Sequence, residues 1–171
     1  MADPLKWLAR RRVTLGFICG GAALWLARPT WETWAIGCSI ALVGEIVRIW
    51  AAGHLEKDRE VTSSGPYRFT GHPLYVGSTI MGIGFAVAAS SLIVTTLIGV
   101  YLVATLAAAM QREQSFLERT FGDRYVAYRS GRDLDQAKRF SVERARRNRE
   151  YRAVAGFVAV ALGLAAKAAL R

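Results

Sequence analysis

From Pro73 to Gln111 the chain runs through 39 consecutive residues with no Asp, Glu, Lys, Arg or His. As one straight helix that run would reach about 59 Å, roughly twice the hydrocarbon thickness of a bilayer. A soluble domain of 171 residues has no core wide enough to hide it. The run therefore folds back as a transmembrane hairpin, and Ala89-Ser90-Ser91 near its middle is the expected turn.

Three further apolar stretches, 13–27, 31–50 and 153–166, flank the hairpin. The first and last are shorter than the roughly 20 residues a span requires. Snorkelling arginines and headgroup anchoring by Trp31 or Tyr151 let them cross, and an interfacial or re-entrant helix is the alternative for the last. The first has the basic start of a signal peptide. Trp25 breaks the small-residue pattern of a cleavage site, which favours a retained anchor. The expected fold is all-α, a polytopic transmembrane helical bundle of about five spans with cytoplasmic amphipathic helices. It forms one domain over 1–171, with N-terminal spans in 1–50, a core with the hairpin in 51–129, and a basic connector and final helix in 130–171.

The net charge of +10 raises the question of nucleic acid. The basic residues border membrane spans, so anionic lipid headgroups are the expected partner and nucleic acid is not. Residues 1–12, 51–72 and 111–152 carry the charge, whereas the connections at 28–32 and 89–91 are nearly neutral. The positive-inside tendency puts the charged segments in the cytoplasm. Cys19 and Cys38 lie in separate apolar stretches with no metal-type spacing, and no metal site is expected. Gly16-x-x-x-Gly20, Gly77, Gly82 and Gly84 read as helix-packing positions; a dinucleotide loop would need a preceding strand.

Candidate chemistry gathers at the inner rim. Glu45 and Arg48 share a helix face, as a mutual ion pair or as the lining of a site. Gly65-Pro66-Tyr67-Arg68-Phe69-Thr70-Gly71-His72-Pro73-Leu74-Tyr75-Val76-Gly77 is dense in turn formers and polar aromatics. Pro73 suits the first turn of a helix, which leaves His72 beside N-terminal amides able to bind a carboxylate or other anion. Glu113-Gln114 follows where the hairpin returns. A hairpin leaves and returns on one side, so His72 and Glu113 are expected to meet although they are 41 positions apart. Residues 111–128 read as an amphipathic interfacial helix with Phe116, Leu117, Phe121, Tyr125 and Tyr128 at helical spacing, and 130–150 as a solvated or lipid-surface connector.

Gly-Pro-Tyr-Arg-x-x-x-His-Pro-x-Tyr-x-Gly, a hydrophobic hairpin, then Glu-x-x-x-Leu-x-x-x-Phe-Gly-x-x-Tyr-x-x-Tyr resembles the isoprenylcysteine carboxyl methyltransferases, a family allied to the phospholipid N-methyltransferases. The resemblance covers Arg48 to Tyr128, about half the chain. It implies S-adenosylmethionine bound between membrane helices, and a lipophilic or lipidated acceptor such as a prenylcysteine-like carboxylate. On it, Arg48 and Glu113 are the catalytic candidates. Tyr67, Arg68, His72, Pro73, Tyr75, Gly77, Glu113, Gln114 and Tyr125 are the cofactor-binding ones. Two positions depart from the family pattern: Gly71 stands for its usual Arg, and Gln114 for a second Glu. An NADPH-dependent membrane reductase of the sterol-reductase type, and a non-enzymatic protein on the same scaffold, are the competing readings.

Overall fold

The computed structural model describes residues 4–57, 60–130 and 138–171, and within these the side chains other than those at 4–13, 17, 124 and 129. Among the described residues all regular structure is helical: α1 (Pro4–Leu26), α2 (Trp31–His54), a 3₁₀ turn (Gly65–Arg68), α3 (Pro73–Ala89), α4 (Leu92–Phe121), α5 (Asp123–Arg129), α6 (Val142–Arg147) and α7 (Tyr151–Ala169).

Local chemistry sets the helix ends. Thr30 caps α2 reciprocally with Thr33: the Thr33 N–H donates to Thr30 Oγ1 at 3.2 Å and the Thr30 N–H to Thr33 Oγ1 at 3.0 Å. Pro73 opens α3. Ser90 ends it in a left-handed conformation, φ 46°, so the hairpin turns where the sequence places it. Nothing between Met110 and Phe121 breaks a helix, so α4 continues unbroken for 30 residues and stops at Gly122, whose φ of 45° and ψ of −116° suit glycine. The separate amphipathic helix expected over 111–128 is instead the end of α4 plus the short α5. At about 45 Å, α4 outruns the bilayer core and carries Glu113 and Gln114 at its emerging end.

Helices α2, α4 and α7 are long and apolar enough to cross a membrane; α3 and the 14–26 part of α1 are apolar but shorter. With α7 at 19 residues, the final helix has the length of a span. Near the 27–30 and 90–91 turns, Ala27, Ala88, Ala89, Val94 and Leu164 form a small buried core. There the Arg28 N–H donates to the Ala89 carbonyl at 2.7 Å, and Lys167 donates to the Leu24 carbonyl at 2.7 Å. Trp34 Nε1–H donates to the Ala161 carbonyl at 2.9 Å, tying α7 to α2.

The closest approach is between α2 and α3. A β-carbon on Gly44 would lie 2.5 Å from Met81 N and 2.6 Å from Gly77 O, and Gly37 and Gly84 make the same kind of contact one heptad away. Where lipid removes most of the hydrophobic drive between helices, such backbone packing holds them together.

At the opposite end, 138–150 is a docked strap. The Ser141 N–H donates to Gly53 O at 3.0 Å and Arg144 Nε to the same carbonyl at 2.8 Å. Asn148 Nδ2 donates to Ala52 O (2.9 Å) and Leu55 O (2.8 Å), satisfying carbonyls that the end of α2 leaves open. Glu56 pairs with Arg144 (3.2 Å) and Arg147 (2.8 Å), and Lys138 pairs with Glu60. The solvated or lipid-surface connector expected over 130–150 is, over 138–150, a largely exposed segment that is also docked, because the carbonyls of α2 and Glu56 give its polar groups partners; 131–137 lie outside the described residues.

Replacing Gly44 by Ala should lower stability by about 1–3 kcal/mol, because the new methyl meets backbone on both sides. Gly156→Ala, with open space around it, should be neutral or slightly stabilising. Thermal unfolding of the two variants in one detergent checks the contrast; equal shifts would mean the helices separate at little cost.

Candidate functional site

A cavity of about 1230 Å³ opens between α1, α3, α4 and the strap. Its lining changes along its length. Cys19, Ala23, Phe85, Val94, Ile98 and Leu164 make an apolar gallery reaching toward the hairpin turn, whereas the other end is polar. Of the residues expected from sequence, Arg48, Tyr67, Arg68, His72, Tyr75, Glu113, Gln114 and Tyr125 all line this one space. Pro73 and Gly77 are buried beside it and do not line it. Pro73 starts α3. A β-carbon on Gly77 would lie 2.6 Å from Arg48 Cγ, so its bareness lets the Arg48 side chain pass between the helices.

The hairpin does bring His72 to Glu113: His72 Nδ1 is 3.4 Å from Glu113 Oε2. Gln114 Nε2 lies 3.5 Å from His72 Nε2. The Gln114 amide can present either its NH₂ or its oxygen to Nε2, and Glu113 faces Nδ1. Nδ1 is buried and makes no well-aligned hydrogen bond. Tyr75 stacks on the imidazole with centroids 5.5 Å apart and planes 28° apart. The N-terminal amides of α3 are less available than the sequence suggests. Those of Tyr75 and Val76 donate to the His72 carbonyl at 3.0 and 3.1 Å, leaving Leu74 as the first free N–H.

Arg48 is both ion-paired and part of the lining, so the two sequence readings of Glu45 and Arg48 merge. Its Nη2 is 2.8 Å from Glu150 Oε1, its Nε is 3.6 Å from Glu45 Oε2, and Nη1 donates to the Ser78 hydroxyl. Glu45 is buried and does not reach the cavity. Glu150 was missed from the sequence, although a carboxylate abutting an apolar span is itself a signal. His54 is absorbed into the fold, buried with Nδ1 3.1 Å from Ser64 Oγ.

Two tyrosines close the polar end. The Tyr128 hydroxyl donates to the Tyr67 carbonyl at 2.6 Å, joining α5 to the 3₁₀ turn. Burial, then the neighbouring Tyr125 and Glu113, pushes the Tyr128 phenol up to about 12. Burial, followed by Glu113, raises Tyr67 further still. Both stay neutral across the physiological range. Also on the lining, Glu56 is held below its ordinary value: burial acts against this, and the Arg144 hydrogen bond with the charges of Arg147 and Lys138 outweighs it. A β-carbon on Gly71 would meet only Tyr128 Oη, 4.0 Å away, so the missing family Arg leaves the mouth open there.

Residues 12–124 match the sequence model of the phospholipid methyltransferase family. The cobalt-zinc-cadmium resistance protein CzcN of Cupriavidus metallidurans is 30% identical over 122 residues, covering 64% of this chain and 54% of that protein. The chain thus spans about half the length of this curated relative. No solved structure matches it.

Tyr128→Phe removes the donor from the Tyr67 carbonyl and should cost about 1 kcal/mol near neutral pH. A phenol whose value is raised on folding contributes stability that is complete below about pH 10 and lost as pH climbs through about 12. The variant should therefore lose less stability than wild type over that alkaline window. Thermal melts at stepped pH measure both; an unchanged gap between the two proteins from neutral to alkaline pH would contradict the assignment.

Proposed function

The chain belongs to the phospholipid methyltransferase family, and from that premise we propose that it is an integral-membrane, S-adenosylmethionine-dependent methyltransferase acting on a lipidic or membrane-partitioned acceptor. The observation that carries the reading is one cavity whose polar end gathers His72, Glu113, Gln114 and Arg48 and whose other end is an apolar gallery. Its volume exceeds the few hundred to about 1,000 Å³ of a typical single-ligand pocket, leaving room for donor and acceptor together. By the charge distribution, the polar end faces the cytoplasm.

When bound, S-adenosylmethionine supplies a methyl group on a positively charged sulfonium. The residues fit such a donor. Nδ1 of His72 is buried without a well-aligned hydrogen-bond partner, and Glu113 is the nearest carboxylate, suited to an ammonium group. His72, Arg68 and the Leu74 N–H suit its carboxylate, and the faces of Tyr67 and Tyr75 suit a cation or a base. What the chain contributes to the rate is alignment of donor and acceptor. The apolar gallery suits the tail of a lipid or prenyl-type acceptor, with a carboxylate or amine at the polar end.

S-Adenosylhomocysteine should bind the protein purified in lipid nanodiscs. Glu113→Gln and His72→Ala should each weaken it about tenfold or more, the scale of losing one partner of a buried charged contact. Calorimetry gives the affinities. Absence of binding at millimolar ligand, or saturable binding of NADPH in its place, would overturn the proposal.

A further inference from the structure

Arg48 is a long side chain on a wall of the cavity, and its guanidinium lies against partners from three elements, the two carboxylates as charge pairs without an aligned hydrogen bond. Glu45, one turn earlier on α2, lies 3.6 Å from Nε; Ser78 on α3 accepts from Nη1; Glu150, at the start of α7, lies 2.8 Å from Nη2. Only Glu150 among these comes from outside the family-matched residues 12–124. It lines the cavity beside Arg48 while its own side chain is 8% exposed.

The chain goes to some length to hold Glu150 there. The strap before it is bonded to the end of α2 through Ser141, Arg144 and Asn148, whose acceptors are the carbonyls of Ala52, Gly53 and Leu55. Arg149, immediately before Glu150, has a φ of 61°, a left-handed conformation that disfavours residues other than glycine. The Glu150 N–H then donates to the Ala145 carbonyl at 3.1 Å, closing the turn that aims the carboxylate inward. Backbone strain of this kind persists where surrounding bonds over-determine it.

We infer that Glu150 is a positioning residue of the site. It fixes the guanidinium of Arg48 at the polar end of the cavity, so that the strap and α7 complete an active site whose other polar residues lie between Arg48 and Tyr128. The inference rests on the methyltransferase reading for its catalytic consequence, though not for the placement of Arg48 itself. A guanidinium released from Glu150 gains rotamers and samples positions away from the reacting groups. Misplacement by about an ångström is enough to lower turnover on the order of 100-fold.

The test compares Glu150→Ala, Glu150→Gln and wild type in nanodiscs with two readouts. The first is the labelling rate of Arg48 by phenylglyoxal, read by peptide mass spectrometry, which needs no assumption about the reaction. Both variants should raise it several-fold, and added formate should restore protection in Glu150→Ala. The second is methyl transfer to a membrane lipid extract. There kcat should fall about 10- to 100-fold while S-adenosylhomocysteine affinity stays within about twofold, with partial recovery in formate. Unchanged Arg48 labelling would overturn the inference. So would a loss of folding in Glu150→Ala together with wild-type turnover in Glu150→Gln, because that pattern belongs to a purely structural carboxylate. Wild type that neither transfers methyl groups nor binds S-adenosylhomocysteine would sink the methyltransferase reading alone, and the labelling result would still decide where Arg48 is held.

Discussion

The backbone contact between α2 and α3 is the constraint on which the rest of this molecule depends. Helices ordinarily pack with axes 8–10 Å apart, a separation set by the side chains between them. Here glycines face backbone in both directions: Gly37 and Gly44 against α3, Gly77 and Gly84 against α2. Positions 37 and 44, and likewise 77 and 84, are one heptad apart, which keeps the bare stripe on a single face. The approach also has a chemical consequence. Arg48 crosses Gly77 to reach Ser78 and Glu150, so the glycine that permits packing also permits the ion-paired wall of the cavity. Gly77 thus serves the site without lining it.

The second constraint is the continuity of α4. Because no residue from Leu92 to Phe121 ends the helix, the lipid-embedded leg and the emerging Glu113-Gln114 turn share one rigid axis. The rotational setting chosen by packing inside the bilayer therefore dictates which side chains meet His72 outside it. Gln114 then matters through its hydrogen-bond character. An amide can donate to or accept from the imidazole, whereas a carboxylate could only accept. The departure at position 114 removes a charge while leaving the contact with His72 in place.

The spans, the hairpin turn and the meeting of His72 with Glu113 were legible because each follows from one-dimensional facts: charge-free length, a turn at the midpoint and the return of a hairpin to its starting side. Seven of the nine cofactor candidates fall on the cavity wall for the same reason, and Arg48 does as well. Legibility failed where long-range pairing overrides composition. A segment as basic as 138–150 reads as solvated because each charge, taken alone, prefers water. It docks because the open carbonyls of α2 and the carboxylate of Glu56 await it, and the sequence does not announce that pairing. Glu150 escaped notice on similar grounds, since its partner is about a hundred positions away. Of the N-terminal amides of α3, that of Tyr75 turns back to the His72 carbonyl, a detail of the last turn that composition does not show.

These constraints explain how a bundle of membrane helices can enclose a cavity that is polar at one end. Ionisable groups are costly within a bilayer and cheap at its edge, so a bundle gathers them at one end and leaves the rest apolar. That arrangement gives the cavity its gradient at no extra cost to the fold. A ligand with a charged head and an apolar tail is matched along its whole length, while a wholly polar one is matched only at the head. The open space at Gly71, at the polar mouth beside Tyr128, then bears on the head alone. Variation there changes the polar mouth, and the apolar gallery is unaffected.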